Sequence, residues 1–541
     1  MSAAISASAL SRRNFLGLAG AGALAVTLAS CGTRSEGTGQ VSNAEDALLP
    51  KHVPLQGLTP DLPGTADGVP PGFFSYPEPF RSVSDVPLTG ETISAISMFF
   101  ATVPNGRADN PAWQEVEKRL GGTLDINAVS DADYESRFST TVAGGDLPDM
   151  MLYATTMQDH AGFLDKACED LTPHLGGDAI EAYPNLAAIP ELFWEQCVMA
   201  GKLYYLPIPR AVTGGSGFFN AKRLEEVGVT DTAEIADADT FFDLLGELTD
   251  PSRNRWALGS TSFGLTPFRH VFRVPYEWRV DGGKLVKDFE TDEYLAMIEY
   301  VAGVREAGYF VPGSEAWEKN QMVNKFVGGQ TAIIYDGLPG YATYAPSASD
   351  TFAPAPFVPF GHDGGAAQTH QDNVLFSPVM LKKGEPEQIE RVLRVANFLA
   401  APFGSEEYLL LNYGVEGVDY DMDAGNNPIP TDRGLSDVAV PWKYLAAPQQ
   451  AVYFPGHEDQ TRAVHGGYSA LIPISVPNPV ASIYSPTNTD KGGTLSQPVS
   501  DTAQEVIAGR KTMKDLEKAI ATWASKGGDT IRGEYEQGLA A

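Results

Sequence analysis

From Glu91 onward, strand and helix signals alternate along the chain, and that alternation restricts the fold more than any other feature. Glu91 to Val103 is β-branched and aromatic, a predicted strand. Asn110 and Pro111 form an N-cap and first-turn pair, and Trp113, Val116 and Leu120 then share one helical face. Leu124, Ile126 and Ala128 alternate as a strand. Tyr134, Phe138 and Val142 repeat at helical spacing, and Met150 to Tyr153 is a short buried strand. This β-α-β-α-β order predicts a largely parallel sheet with helices on both faces. Open sheets of that kind take ligands beyond the carboxyl ends of their strands. A second α/β stretch follows, with a strand over Gly201 to Pro209 and Phe218-Phe219-Asn220 leading into a helix over Ala221 to Val227. Thr240 and Asp243 start another helix in the manner of a capping box. Thr291 caps a helix through Arg305, and Pro386 opens one through Leu399. In the C-terminal tail, Leu516, Ile520 and Trp523 share a helical face, as do Ile531, Tyr535 and Leu539.

The first 31 residues read as an address. Ser11-Arg12-Arg13-Asn14-Phe15-Leu16 places two arginines before an apolar run ending at Ala29, too short and glycine-interrupted to span a bilayer. The pattern resembles a twin-arginine export signal. Leu28-Ala29-Ser30-Cys31 resembles a lipobox, in which Cys31 is acylated and becomes the mature N-terminus. Residues 1–30 are therefore expected to be a signal peptide. Residues 31–90 contain nine prolines, at 50, 54, 60, 63, 70, 71, 77, 79 and 87, and are expected to form an extended tether. Its apolar cluster Phe73-Phe74-Tyr76-Phe80 can still pack on the folded body.

The chain has 541 residues with 69 acidic and 38 basic side chains, a net charge of −31 that becomes −33 without residues 1–30. That balance argues against a nucleic-acid partner and against docking on anionic lipid by charge, leaving the lipid anchor as the membrane contact. Three cysteines exclude a disulfide-rich scaffold. Cys168 and Cys197 can pair in an oxidising exterior or stand as two free thiols.

Catalytic motifs mostly fail. His457-Glu458 lacks the second histidine of a zinc-protease helix, and there is no nucleophile elbow, phosphate-binding loop or paired-cysteine motif. Asp419-Tyr-Asp421-Met-Asp423 resembles a calcium loop only in part, since Ala424 and Pro430 stand where glycine and glutamate belong. A β-turn at Asp423-Ala424-Gly425-Asn426 fits better. His362 and His370 flank a glycine-rich loop without a third ligand. No cofactor or metal is expected. Carboxylate pairs for glycoside cleavage stay open, because only three-dimensional spacing identifies them.

Several segments in order resemble the family 1 extracellular solute-binding proteins, the lipoprotein receptors of ABC importers, in their long oligosaccharide-handling branch. They are Gly145-Asp146-Leu147-Pro148-Asp149-Met150, Gly201-Lys202-Leu203-Tyr204-Tyr205-Leu206-Pro207 and Phe218-Phe219-Asn220-Ala221-Lys222-Arg223-Leu224 with Val227-Gly228-Val229. Tyr276 to Val286, Phe326 to Ala332, Tyr413 to Tyr420 and Trp523 to Tyr535 complete the set. Asp250-Pro251-Ser252-Arg253-Asn254-Arg255-Trp256 departs from it: arginines stand where some members carry a calcium loop, so no calcium is expected there.

The resemblance implies an α/β fold of the type II periplasmic-binding-protein kind. Two lobes, each a mostly parallel sheet flanked by helices, would be joined by a hinge of two or three crossing strands. The expected lobes are 91–210 with 375–470, and 211–374 with 471–541. It implies a monomeric, membrane-anchored, extracytoplasmic receptor that captures a carbohydrate and delivers it to ABC permease subunits. A surface-anchored glycoside hydrolase or lyase, or a receptor for a peptide or other solute, remains the alternative. Candidate ligand residues come from matched strand ends. Tyr153 is a stacking aromatic or a core-edge tyrosine, with Thr155 and Thr156 beside it as hydroxyl partners. Arg210 contacts ligand or forms a hinge salt bridge, and Trp278 contacts ligand or belongs to the core. Tyr335 and Asp336 face the cleft if the strand before them is parallel.

Overall fold

The computed structural model describes residues 48–55, 57–100, 102–153, 160–230, 232–261, 265–371, 373–481 and 483–540. The signal peptide, Cys31 and the first part of the tether, together with Thr155 and Thr156, lie outside the described residues.

Two larger sheets organise the chain. In chain order their strands are β1 (Thr92–Phe99), β2 (Thr123–Ser130), β3 (Met150–Leu152), β4 (Tyr205–Leu206), β5 (Phe218–Asn220), β6 (Trp256–Leu258), β7 (Thr331–Ile334), β8 (Pro354–Pro356) and β9 (Val379–Leu381). The first sheet runs β2-β1-β3-β9-β4 and the second β8-β5-β7-β6. In the first, β1 is parallel to β2 and β3, and β9 alone runs against its neighbours. In the second, β7 is parallel to β6, and β5 runs against β7 and β8. The reversed strand of each sheet, β5 or β9, is the first one laid down after the chain crosses from the other sheet. The architecture is the α/β, two-lobed, periplasmic-binding-protein-like fold that the resemblance implies.

The local chemistry of the first sheet follows the sequence closely. Asn110 accepts the Trp113 N–H at 2.9 Å and Pro111 opens the helix, which buries Trp113, Val116 and Leu120. Gly145, at φ 75°, ends the helix Asp131–Gly144. The carboxylate of Asp149 then accepts the Ser94 N–H at 2.8 Å and its hydroxyl at 2.7 Å, fixing the start of β3 against β1. Two details differ from expectation. The Gly201–Pro209 strand is broken into the short pieces Lys202–Leu203 and Tyr205–Leu206. The helix expected to start at Thr240 begins at Ala238, because Asp237 accepts both the N–H and the hydroxyl of Thr240. The turn at Asp423 forms as expected, with Asn426 N–H donating to the Asp423 carbonyl and Asn426 at φ 61°.

Residues 48–90 have almost no regular structure, as their prolines dictate, but they do not hang free. Gly72–Phe73 pairs in parallel with Val452–Tyr453, Phe73 and Tyr76 are buried against Phe403, and Tyr76 OH donates to the Ser405 carbonyl at 3.0 Å. The expected tether is over this length a strap on the first lobe. Burying its aromatics outweighs the freedom lost by a proline-stiffened chain.

The disulfide alternative is not realised: Cys168 and Cys197 are both buried free thiols. Burial pushes both thiols up, Cys168 to about 12. Trp278 also needs correction as a ligand residue. Only 3% exposed, it packs in the second lobe's core on Trp523 and Tyr535, beneath the cations of Lys287 and Arg532. Its hairpin, Trp278–Asp281 with Lys284–Lys287, turns the ring onto the C-terminal helices, and Trp278 is not among the walls of the cavities between the lobes.

Candidate functional site

Three chain segments cross between the lobes. The first and second are joined antiparallel: the Arg210 N–H donates to the Val374 carbonyl at 2.7 Å and the Phe376 N–H to Ile208 at 2.9 Å. The third pairs in parallel with the second lobe's Thr369–His370 through Ser475–Val476. Beyond the first crossing, the run Gly214-Gly215-Ser216-Gly217 passes against the end of β7. Gly217 has φ 114°, and a Cβ there would meet the Ile334 carbonyl oxygen at 2.2 Å. Only glycine lets these backbones approach, and the approach brings the residues after β7 beside the crossing strands.

Three cavities meet along this line. The middle one, about 520 Å³, lies between the lobes: Arg210, Asn373 and Gln450 face Tyr276, Tyr335 and Asp336. It shares Arg210 and Gln450 with a cavity of about 370 Å³ on the first-lobe side, walled by Phe376, Tyr408, Asn412, Trp442, Lys443 and Tyr444 among others. It shares Gly214, Tyr276 and Tyr335 with one of about 350 Å³ on the second-lobe side, lined by Arg269, His270, Lys287, Asp288 and His370. Together they form a groove across the hinge, of a size that suits an extended solute.

Each expected site residue can now be placed. Tyr335 and Asp336 follow β7, which is parallel to β6, and both line the middle cavity. Asp336 is already occupied: its carboxylate accepts Lys319 Nζ at 2.6 Å, Tyr344 OH at 2.6 Å and the Gly337 N–H at 2.9 Å. It shapes the wall more than it offers a free acceptor. Arg210 is exposed, with its guanidinium 5.3 Å from the centre of the Phe376 ring. The hinge salt bridge is not formed with any described residue. Tyr153 is half-buried, ties its N–H to the Pro378 carbonyl, and stacks on His160 with ring centres 4.2 Å apart. His160 bonds the hydroxyls of Tyr153 and Tyr205 at 3.1 and 2.8 Å, and burial pushes it down to about 4. Tyr153 is not among the walls of the three cavities.

The sequence reading missed the first-lobe wall. Phe376 stacks on Tyr444 at 4.8 Å, and Phe100 lies edge-on to both. The signal was Pro441-Trp442-Lys443-Tyr444, a lysine flanked by aromatics, as in many surfaces that pair stacking with charge. It also missed the polar second-lobe wall. There Arg269 and Lys287 both engage Asp288, with Lys287 Nζ 3.2 Å from the carboxylate. Burial alone would raise the Asp288 pKa, but the two cations outweigh it and hold the carboxyl below its usual range. His370 N–H donates to Nε2 of His270 at 3.2 Å, so His270 carries its proton on Nδ1 and donates it to Ser216 Oγ. Burial drives His270 well down, keeping it neutral. Ser216 therefore faces a proton donor rather than a general base. The groove as a whole offers aromatic faces, amides and cations: the chemistry of holding a polar solute.

The departure at Asp250 is resolved by the fold. Asp250 accepts the Ser252 N–H and hydroxyl, Arg253 lies 3.3 Å from its other oxygen, and Arg255 pairs with Glu226 at 2.6 Å. An arginine stands on the carboxylate that a cation would need.

Comparison with known proteins agrees with this geometry. The chain is 24% identical over 451 residues to the polygalacturonan/rhamnogalacturonan-binding protein YtcQ of Bacillus subtilis, an alignment spanning 79% of this chain and 87% of that one. It is 22% identical over 454 residues to the lipoprotein LipO of the same organism, across 78% and 87% of the two chains. Its fold superposes with a TM-score of 0.61, at 14% identity, on an HMO-binding, ABC-transporter-associated solute-binding protein from Bifidobacterium longum infantis. That match covers 83% of this chain and 98% of the other. The model of the bacterial extracellular solute-binding proteins matches residues 112–388, half of the chain, and to that family this protein belongs.

Proposed function

We propose that this protein is a non-catalytic receptor that captures an oligosaccharide in the interlobe groove and delivers it to the permease subunits of an ABC importer. The observation that carries the reading is the groove itself, continuous across the crossing strands and lined by both lobes. Stacked aromatics suit the apolar faces of sugar rings, and the surrounding amides suit their hydroxyls. The names of the similar proteins support the same class of ligand. Under this reading the lobes comprise 91–210 with 375–470 and 211–374 with 471–541, and they close by hinge motion about the crossing strands. Arg210, Tyr335 and the Asp336 wall contact the sugar, and Tyr153 serves the first-lobe rim, with Thr155 and Thr156 as further hydroxyl partners of the ligand. The chain is exported by its twin-arginine signal, anchored through lipid on Cys31 at the outer face of the cell membrane, and works as a monomer.

Isothermal titration against a glycan panel, with thin-layer analysis of the same mixtures, tests the proposal. Saturable binding with unchanged glycans is the expected result. Turnover without saturable binding would replace it with a surface-anchored carbohydrate-active enzyme, and binding of peptides alone with a receptor of another class.

A further inference from the structure

This protein carries a net charge of −31, so a positive site without compensation stands against the character of the whole chain. The first-lobe cavity is such a site. Arg210 and Lys443 both line it, and among the described residues no aspartate or glutamate does. Among the described residues neither cation has a carboxylate within ion-pair distance. Each lies instead beside one ring of the stacked pair: Arg210 Cζ is 5.3 Å from the centre of Phe376, and Lys443 Nζ is 5.3 Å from the centre of Tyr444. Burial lowers the pKa of Lys443, and no neighbouring anion opposes that shift. Asn412 and Gln450 add neutral amides to the walls.

The contrast with the other cations of the groove is chemical. Arg269 and Lys287 share Asp288, and Lys319 is taken by Asp336. An Arg fork and an ammonium beside a stacked aromatic pair match a ligand with a flat apolar face and an attached anion. A sugar ring bearing a carboxylate or a sulfate has both. Resting on the receptor reading above, we propose that the oligosaccharide is anionic, and that Arg210 and Lys443 hold the carboxylate or sulfate of the sugar unit at the first-lobe end of the groove. The site deepens specificity: a neutral sugar would leave two partly desolvated cations without partners, which costs affinity relative to its charged counterpart.

The test is calorimetric titration of the whole mature protein with matched pairs. The pairs are oligogalacturonides and alginate oligosaccharides with their carboxyl-reduced forms, and sulfated galactan oligosaccharides with their desulfated forms. The charged member of one pair is expected to bind at least roughly tenfold more tightly than its neutral member, and which pair does so identifies the anion. Arg210→Gln and Lys443→Gln should each narrow that gap by roughly tenfold to a hundredfold, the range of a charge-assisted hydrogen bond. Neutral members binding as tightly as charged ones, or a gap that both variants leave intact, would overturn the inference and leave the receptor reading standing. If no glycan of either kind binds while the protein remains folded by circular dichroism, the receptor reading falls with it.

Discussion

The two ends of the groove carry the same number of cations and treat them in opposite ways. On the second-lobe side Arg269 and Lys287 close on Asp288, which is 7% exposed, inside a polar wall built on Trp278 and Phe289. On the first-lobe side Arg210 and Lys443 rest on aromatic rings, with no acid among the described residues of that cavity's wall; Asp336, which Arg210 faces in the middle cavity, is already taken by Lys319 and Tyr344. The first arrangement satisfies itself and holds the lobe together. The second is satisfied only when something else brings a negative charge. On the proposed reading, electrostatics of equal number divide into architecture and recognition, and the division is open to test.

The largest effect should come from breaking the self-satisfied end. Asp288→Ala removes the single anion shared by two cations in a buried wall. Leaving such charges unpaired typically costs about 3–5 kcal/mol, so chemical denaturation should show a loss of that order. A loss below about 1 kcal/mol would mean that water already screens the cluster and that the two ends do not differ in kind.

A titration sharpens the same point. The carboxyl of Asp288 is held below its ordinary range in the folded state, so its stabilising contribution is complete above the unfolded carboxylate pKa. That contribution is lost as pH falls through the lower, folded value. Asp419 in the first lobe has the opposite sign. It is fully buried, one of its oxygens accepts the Val415 N–H at 2.8 Å, and among the described residues the other has no donor while the Asp437 carboxylate lies beside it. Burial first, then the neighbouring Asp437, raises its pKa above the unfolded value, against the Val415 hydrogen bond. Its contribution is therefore present at low pH and lost as pH rises through the folded pKa. Asp419→Asn supplies the missing proton permanently, and should stabilise the protein at neutral pH by about 1 kcal/mol, an advantage that fades on acidification. Stability curves of the two proteins that stay parallel across pH would refute the assignment.

These differences also show which parts of the molecule a reader of the sequence could reach. The strand and helix order from Thr92 to Leu152 was legible because each element is specified locally. A cap at Asn110, a left-handed glycine at 145 and a carboxylate at Asp149 are written within a few residues of what they control. The insertion of β9 between β3 and β4 was not legible, since strands more than 170 residues apart along the chain must meet for it. Trp278 misled because a tryptophan in a family-like segment reads the same whether its ring meets ligand or the C-terminal helices, and only Trp523 and Tyr535 decide. Residues 48–90 were legible in part: the prolines report an irregular chain and the cluster around Phe73 and Tyr76 left packing open, but the attachment itself depends on Phe403 and Ser405 far downstream. For Arg210 the end of its strand left a hinge salt bridge and a ligand contact equally open, and only the fold shows that it has no acidic partner among the described residues.

The smallest effect on stability is expected at the recognition end, and its sign carries the comparison. Arg210 is exposed, and its substitution by Gln breaks no ion pair with a described residue, so folding stability should change by no more than about 0.5 kcal/mol. Lys443 is similar. Desolvation lowers its pKa with no opposing anion, but the side chain is exposed, so solvent screening leaves little of that shift as a change in stability. Replacing it with Met should therefore leave stability unchanged or raise it by a few tenths of a kcal/mol, the opposite direction from Asp288→Ala. Denaturant curves for Arg210→Gln and Lys443→Met decide the matter: a loss above about 1 kcal/mol in either would place that cation with Arg269, in the architecture.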